Sequence, residues 1–295
     1  MIFLKFVTFE INEERFAGIL SDDRKTVNKL MVYENVFSDI GELIEYFKFD
    51  TISNLDRIRK SEEKFNIEDV KILAPIPFPK QDIICLGINY MAHAEESARY
   101  KKEDFGGKRE YAVYFSKRVN EAIGDGDYID GHFDIVDSLD YEAELGVIIG
   151  KDCKDVSKND AFSYVLGYTV INDVSARNLQ TQHKQWYFGK SLDGFTPMGP
   201  CIVTADEIGN PPVLDICSRV NGEVRQKSRT DLFIFDVPHV ISELSKGMTL
   251  KAGTIISMGT PAGVGMGFVP PKFLKSGDVV ECEIENIGCI KNIVK

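Results

Sequence analysis

The 295-residue sequence predicts an α+β protein that is mostly β, with a small N-terminal α+β domain over residues 1–72 and a larger β-rich domain over residues 73–295. Three observations predict it. Short β-like runs recur along the chain and are punctuated by glycine and proline turns, while few long helical patterns separate them. That spacing argues for a mixed sheet rather than a doubly wound parallel one. Near residue 75, "APIPFPK" places Pro75, Pro77 and Pro79 at alternate positions, a stiff extended segment suited to a domain boundary.

In chain order, Ile2 to Ile11 and Arg15 to Leu20 read as strands. A helix is expected over Asp39 to Phe47: Asp39 and Glu42 have capping-box spacing, and Ile40, Leu43, Ile44 and Phe47 form one apolar stripe. A charged stretch, Asp56 to Lys64, follows without a clear period. Beyond the prolines, strand-like runs lie at Ile83 to Gly87, Ala112 to Phe115, Ala143 to Ile149, Val165 to Ile171, Cys201 to Thr204, Thr254 to Met258 and Val279 to Ile284. No internal repeat or low-complexity tract interrupts them.

Composition narrows the function classes. A chain that is 43% hydrophobic and 27% charged is ordinary for a globular protein. No apolar run approaches the roughly 18 residues that a bilayer demands. The N-terminus alternates like a strand and lacks a signal peptide's apolar stretch and cleavage site. A net charge of −11 without a basic stripe excludes nucleic acid and anionic membrane as natural partners. The six cysteines form no C-x-x-C pair and lie mostly in apolar stretches, as expected of reduced, buried thiols in a cytoplasmic protein.

Chemistry concentrates in a few segments. In "SLDYEAELGVIIGK", residues 138–151, strand alternation puts Asp140, Glu142 and Glu144 on one side and the apolar residues on the other. A strand buried enough to carry those apolar residues needs something to compensate its carboxylates. Glu142 and Glu144 stand roughly 7 Å apart along a strand and point the same way, so they can converge on one ion. Taken alone, the pair also fits a solvated strand edge. Downstream, "GYTVINDVSARNLQ" places Asp173 at a strand's end, either as a third ligand or as the N-cap of a following helix. Three carboxylates make an oxygen-only site that suits Mg²⁺ or Mn²⁺, with Ca²⁺ also compatible, rather than zinc.

"CLGINYMAHAEES" places His93 and Glu96 three apart on a short helix that Asn89 could cap, where a carboxylate can orient an imidazole as general base. The charged, glycine-containing stretch over residues 97–111 reads as a lid. Lys190 stands among aromatics as a partly sequestered cation. "SMGTPAGVGMG" lacks the lysine of a phosphate-binding loop and suits close approach to a small ligand, with Thr260 as a hydroxyl donor.

Together, "GINYMAHAEE", "DYEAELGVIIGK", "GYTVINDVSARNLQ", "GKSLDGFTPMGP", "MGTPAGVGMG" and "LKSGDVVECEIENIG" resemble, in this order, the fumarylacetoacetate hydrolase family over about residues 72–295. The resemblance implies a mixed β-roll or β-sandwich catalytic domain in a homodimer. It implies Glu142, Glu144 and Asp173 as metal ligands, His93 and Glu96 as a lid dyad that activates water, and Lys190 as the active-site cation. It also implies Arg177, Gln180 and Thr260 as contacts to the substrate's oxygens. Asn178 stands where similar relatives often carry Asp, which leaves the orientation of Arg177 in question. The implied activity is Mg²⁺- or Mn²⁺-dependent hydrolysis of a C–C bond in a small 2,4-dioxo acid such as an acylpyruvate, through a metal-stabilised pyruvate enolate. The same chemistry serves oxaloacetate decarboxylases and 2-hydroxyhepta-2,4-diene-1,7-dioate isomerases. A metal-binding protein that turns nothing over is the non-enzyme alternative.

Overall fold

The computed structural model describes residues 4–48, 50–102, 104 and 106–295. Ile2 and Phe3 of the first expected strand, and residues 103 and 105 of the expected lid, lie outside the described residues.

The N-terminal part supplies β1 (Lys5–Ile11), β2 (Glu14–Leu20), β3 (Thr26–Val32), β4 (Asn35–Val36), α1 (Ile40–Tyr46), β5 (Ile58–Asn66) and β6 (Lys71–Leu73). Next come β7 (Ile83–Gly87), α2 (Met91–Lys101), β8 (Val113–Lys117), β9 (Tyr128–Ile129), β10 (Leu139–Asp140), β11 (Ala143–Ile149), β12 (Val165–Asn172) and β13 (Ser175–Ala176). The remainder holds α3 (Arg177–Gln182), α4 (Tyr187–Lys190), β14 (Met198–Thr204), α5 (Ala205–Ile208), β15 (Asp215–Val220), β16 (Glu223–Arg229), α6 (Val237–Gly247), β17 (Ile255–Ser257), β18 (Val279–Ile284) and β19 (Gly288–Val294).

These strands build a mixed, mostly β architecture. One large sheet runs β4-β3-β2-β1-β14-β12-β11-β17-β7-β8, with β5 added on β3 and β6 on β1. A second runs β16-β15-β18-β19-β9. Most pairs are antiparallel, but β17 lies parallel to β7 and β19 parallel to β9. The N-terminal strands therefore join the large sheet through β1 against β14, at Lys5↔Val203 and Phe6↔Ile202.

Both faces of the central strands are covered, which explains why β11 reads as a near-continuous apolar run. Leu145, Val147 and Ile149 pack with Tyr168 and Val170 and with Ile216, Val280 and Ile284 of the second sheet. Ile148, on the other face, packs with Ile171, Ile202 and Ile255 and with Phe6, Leu30 and Leu43 from the N-terminal part. Every residue of β11 is buried, so a carboxylate on it has no water to fall back on.

Several local expectations are refined. Asp39 caps α1 by accepting from the Glu42 N–H at 2.9 Å, but Glu42 reaches back to the Ser38 N–H rather than to the cap residue itself. The charged stretch from Asp56 contains β5, an exposed strand whose alternation is masked by lysine and glutamate, as suits a strand outside the main sheet path. The turn-rich reading also passed over α6, which Asp236 caps through the His239 N–H at 2.8 Å. All six cysteines are free, four of them buried. Among the described residues, no helix is long and apolar enough to cross a membrane.

Candidate active site

The strand expected at Ala143 to Ile149 is β11, but the alternation read through residues 138–151 is interrupted before it. β10 ends at Asp140 and β11 begins at Ala143, with Tyr141 and Glu142 between them. β10 pairs with β13 and β11 with β12, with Ala143 opposite Asn172. Residues just beyond that pair, Glu142 and Asp173, are thereby brought together, and the Asp173 N–H donates to the Glu142 carbonyl at 2.9 Å. Glu144, one residue into β11, completes the group. Glu142, Glu144 and Asp173 are all buried and offer ligand atoms within 4.8 Å of one another.

Each carboxylate is held in a different way. Glu142 Oε2 accepts from Lys190 Nζ at 2.7 Å, and Glu142 Oε1 lies 2.6 Å from Arg177 Nη2, an ion pair off the hydrogen-bonding line. Asp173 Oδ2 accepts from Lys190 Nζ at 2.5 Å and Oδ1 from Lys117 Nζ at 2.8 Å. Glu144 Oε2 accepts from Ser257 Oγ at 2.6 Å and from the Gly259 N–H at 2.8 Å. Burial pushes Glu142 up, but the adjacent Lys190 and Arg177 outweigh it and hold the group well below the usual carboxylate range. Burial, reinforced by the Asp173 and Glu142 charges, pushes Glu144 well above that range. Lys190 is kept charged: burial would lower it, and Asp173 and Glu142 more than reverse that.

The expected dyad lies on α2. α2 places His93 and Glu96 one turn apart, both buried, with Nδ1 and Oε2 3.0 Å apart. The other Glu96 oxygen accepts from the Gly263 N–H at 2.9 Å. Gly267 lies so close to this carboxylate that a Cβ there would collide with Glu96 Oε1. With Nδ1–H donating to Glu96, the lone pair of Nε2 is left without a partner among the described residues. A cavity of about 470 Å³ meets both groups, and its lining includes His93, Glu142, Glu144, Lys190, Trp186 and Lys101. Trp186 lies against Gly87, where a Cβ would meet its ring, and Lys101 Nζ of α2 stands 5.8 Å from the ring centre.

The remaining expected residues fall as follows. Arg177 opens α3 and lines the cavity with Gln180, whose Oε1 accepts from Arg177 Nη1 at 3.1 Å. Thr260 lines the cavity too, but its hydroxyl donates to the Ala143 carbonyl at 2.9 Å and accepts from Gln226 at 2.7 Å. To donate to a substrate it must first release Ala143. Asp173 is not a helix N-cap, because Ala176 holds that position before α3. Asn89 does not cap α2. Tyr90 stands there, and the Asn89 amide instead ties Phe235 to Met258.

Two residues, Lys117 and Ser257, and the partners of a third, Asp140, escaped sequence reasoning. Lys117 is fully buried at the end of β8 and holds Asp173. A lysine ending the apolar stretch "AVYFSK" was the only local signal. Ser257 ends β17 and clamps Glu144 across the sheet, a partnership set by strand order. Asp140 is a buried structural anchor: Oδ1 accepts from the Tyr141 and Gly265 N–H groups, and Oδ2 from Arg177 Nε and the Met266 N–H. Asp140 also answers the question raised by Asn178. It orients Arg177 from β10, while the Asn178 side chain donates to the Ile135 carbonyl.

Residues 82–295 match the family described as fumarylacetoacetate (FAA) hydrolase, C-terminal. The chain belongs to this family. It is 41% identical over 305 aligned positions to the oxaloacetate tautomerase YisK of Bacillus subtilis, covering 98% of this chain and 99% of that protein. Among solved structures it resembles a fumarylacetoacetate hydrolase from Exiguobacterium antarcticum at TM-score 0.82 and 38% identity, covering 99% of both chains. It also resembles a 2-hydroxyhepta-2,4-diene-1,7-dioate isomerase from Mycobacterium marinum at TM-score 0.76 and 30% identity, covering 99% of this chain and 98% of that one. These family members are enzymes, and divalent-metal dependence is typical of the family.

The residues present fit such an ion. The donors are all oxygen, Glu144 Oε1 has no partner among the described residues, and the other two ligand carboxylates already share one cation, Lys190.

Proposed function

We propose that this protein is a Mg²⁺- or Mn²⁺-dependent enzyme that interconverts the keto and enol forms of a small 2-oxo acid, with oxaloacetate as the first substrate to test. The observation that carries it is one cavity lined by Glu142 and Glu144 of a buried three-carboxylate cluster and by His93 of a buried His–Glu pair. The full-length similarity to an oxaloacetate tautomerase supports the choice of substrate.

Glu142, Glu144 and Asp173 would hold the ion. When bound, it supplies Lewis acidity to a 2-oxo acid's carboxylate and keto oxygens, easing loss of a proton from the adjacent carbon. Arg177 and Gln180 orient the substrate's carboxylate. His93 Nε2 holds the proton in transit between the enol oxygen and C3, and Glu96 fixes the ring and stabilises its charged form. Lys190 balances negative charge at the enol oxygen. The proton lost at one atom is restored at the other, so nothing is consumed.

A second reading, hydrolysis of the C3–C4 bond of acylpyruvates, is favoured by the same His93–Glu96 pair, which suits removal of a proton from water attacking the C4 carbonyl. Decarboxylation of oxaloacetate and isomerisation of a hydroxymuconate-type acid use the same groups. We also propose that residues 1–72 act as a distinct N-terminal domain and that the protein works as a cytoplasmic homodimer, to be checked by light scattering after size exclusion.

The deciding experiment follows the ultraviolet absorbance of the oxaloacetate enol and of several acylpyruvates with purified protein and Mg²⁺ or Mn²⁺. Metal-dependent acceleration of enol decay without carbon dioxide release supports the first reading, and loss of the acylpyruvate band supports the second. If neither changes, the protein is not an enzyme of this class.

A further inference from the structure

The mechanism above makes no use of Lys117, yet a buried ammonium is costly unless it is paired. It is fully enclosed, it is absent from the cavity wall, and its ammonium donates to Asp173 Oδ1 at 2.8 Å and to the Val174 carbonyl at 3.0 Å. It therefore touches no substrate. Its effect must pass through Asp173.

The same arrangement recurs at all three carboxylates. Lys117 occupies Asp173 Oδ1, Arg177 stands at Glu142 Oε1, and Ser257 with the Gly259 N–H occupies Glu144 Oε2. One oxygen of each pair is already engaged, at Glu142 through an ion pair with an arginine that itself lines the cavity. The oxygen left over is Asp173 Oδ2, Glu142 Oε2 or Glu144 Oε1, and the first two meet only the Lys190 ammonium among the described residues.

We propose that these clamps restrict every ligand carboxylate to a single oxygen, so that the site discriminates for Mg²⁺ or Mn²⁺ against Ca²⁺, with Lys117 as the positioning residue at Asp173. The inference rests on the reading that this triad holds a divalent ion. Ca²⁺ takes six to eight oxygens at long distance and commonly gathers them from bidentate carboxylates. Mg²⁺ demands octahedral geometry, keeps water, and accepts single oxygens. Three single oxygens leave three positions for water and substrate on an octahedral ion, and leave Ca²⁺ short of ligands. Turning Asp173 bidentate would strip a fully buried ammonium of its carboxylate partner, and turning Glu144 bidentate would break two buried hydrogen bonds.

The test measures affinity rather than turnover. Mn²⁺ binding to the purified full chain is followed by electron paramagnetic resonance, with Ca²⁺ as competitor, for the parent and for Lys117→Met, Lys117→Arg and Ser257→Ala. Outer partners of metal ligands commonly change affinity ~10–100-fold. The ratio of Ca²⁺ to Mn²⁺ affinity is expected to rise at least about tenfold in Lys117→Met and to return towards the parent in Lys117→Arg. A merely structural lysine would weaken both ions alike. If Lys117→Met does not fold by circular dichroism, Ser257→Ala carries the test at Glu144, where the ratio must also rise. An unchanged ratio in the folded variants overturns the proposal while leaving the metal reading intact. Failure of the parent to bind either ion overturns both.

Discussion

Replacing Asp140 with Asn changes one atom type at a point where four donors converge. Asp140 Oδ1 receives the Tyr141 N–H at 2.9 Å and the Gly265 N–H at 2.6 Å, while Oδ2 receives Arg177 Nε at 2.9 Å and the Met266 N–H at 3.0 Å. An amide presents its oxygen to only one of these pairs and turns an NH₂ towards the other. Two hydrogen bonds to a charged acceptor are lost, at about 1.5–3 kcal/mol each, and the expected cost is therefore about 3–6 kcal/mol. That agrees with ~3–5 kcal/mol for removing one partner of a buried ion pair. At ~2 °C per kcal/mol for a chain of this size, the melting temperature should fall by about 6–12 °C. The assay is thermal unfolding by circular dichroism at a fixed metal concentration, with a urea titration beside it. A melting temperature within about 2 °C of the parent, the shift of a ~1 kcal/mol change, would refute the role assigned to Asp140. The same variant should lose activity, because Arg177 loses its anchor.

Glu144 should couple metal binding to pH. Its carboxyl is held above the ordinary range by burial and by the Asp173 and Glu142 charges, so below that raised value an ion entering the metal-free folded protein must displace a proton. Affinity should rise with pH, by about tenfold per unit for one proton below the folded-state value, with proton release read by calorimetry in buffers of different ionisation enthalpy. Zero release would sink the assignment. The metal-free fold should also lose stability as pH rises from the ordinary carboxylate value through the raised one, since there the folded state binds more protons than the unfolded, and saturating metal should flatten that slope. Glu96→Gln and His93→Asn should lower kcat ~10²–10⁴-fold with Mn²⁺ affinity unchanged, and parallel losses of both quantities would argue against a proton-transfer role. In Gly267→Ala the new methyl meets the Glu96 carboxylate, so kcat should fall as in Glu96→Gln, with ~1–3 kcal/mol of stability lost to overpacking. A fully active Gly267→Ala protein would show that Glu96 has room to move.

What the sequence disclosed was set by reach along the chain. His93 and Glu96 lie one helical turn apart, so their meeting is local and legible. Glu142 and Glu144 are two residues apart, and their meeting with Asp173 could be anticipated because each flanks an apolar strand. The clamps were not legible. Lys117 is 56 residues from Asp173, and Ser257 is 113 from Glu144, and only the order β12-β11-β17-β7-β8 brings them close. The partners of Asp140 were hidden for a different reason. Strict alternation was extended through the Tyr141–Glu142 step, where the backbone leaves the strand. β5 was hidden because an exposed strand rich in lysine and glutamate has no apolar period to display.

The chain's single tryptophan, Trp186, stands in the wall of the cavity beside Lys101 of α2. No second indole contributes background, so indole emission, excited at the red edge where the eleven tyrosines barely absorb, is an optical signal from this one place. Occupancy of the cavity and displacement of α2 both alter the surroundings of that indole. The protein thus carries its own titration probe, and ligands that are never turned over can be ranked by emission alone, without a label and without a coupled assay.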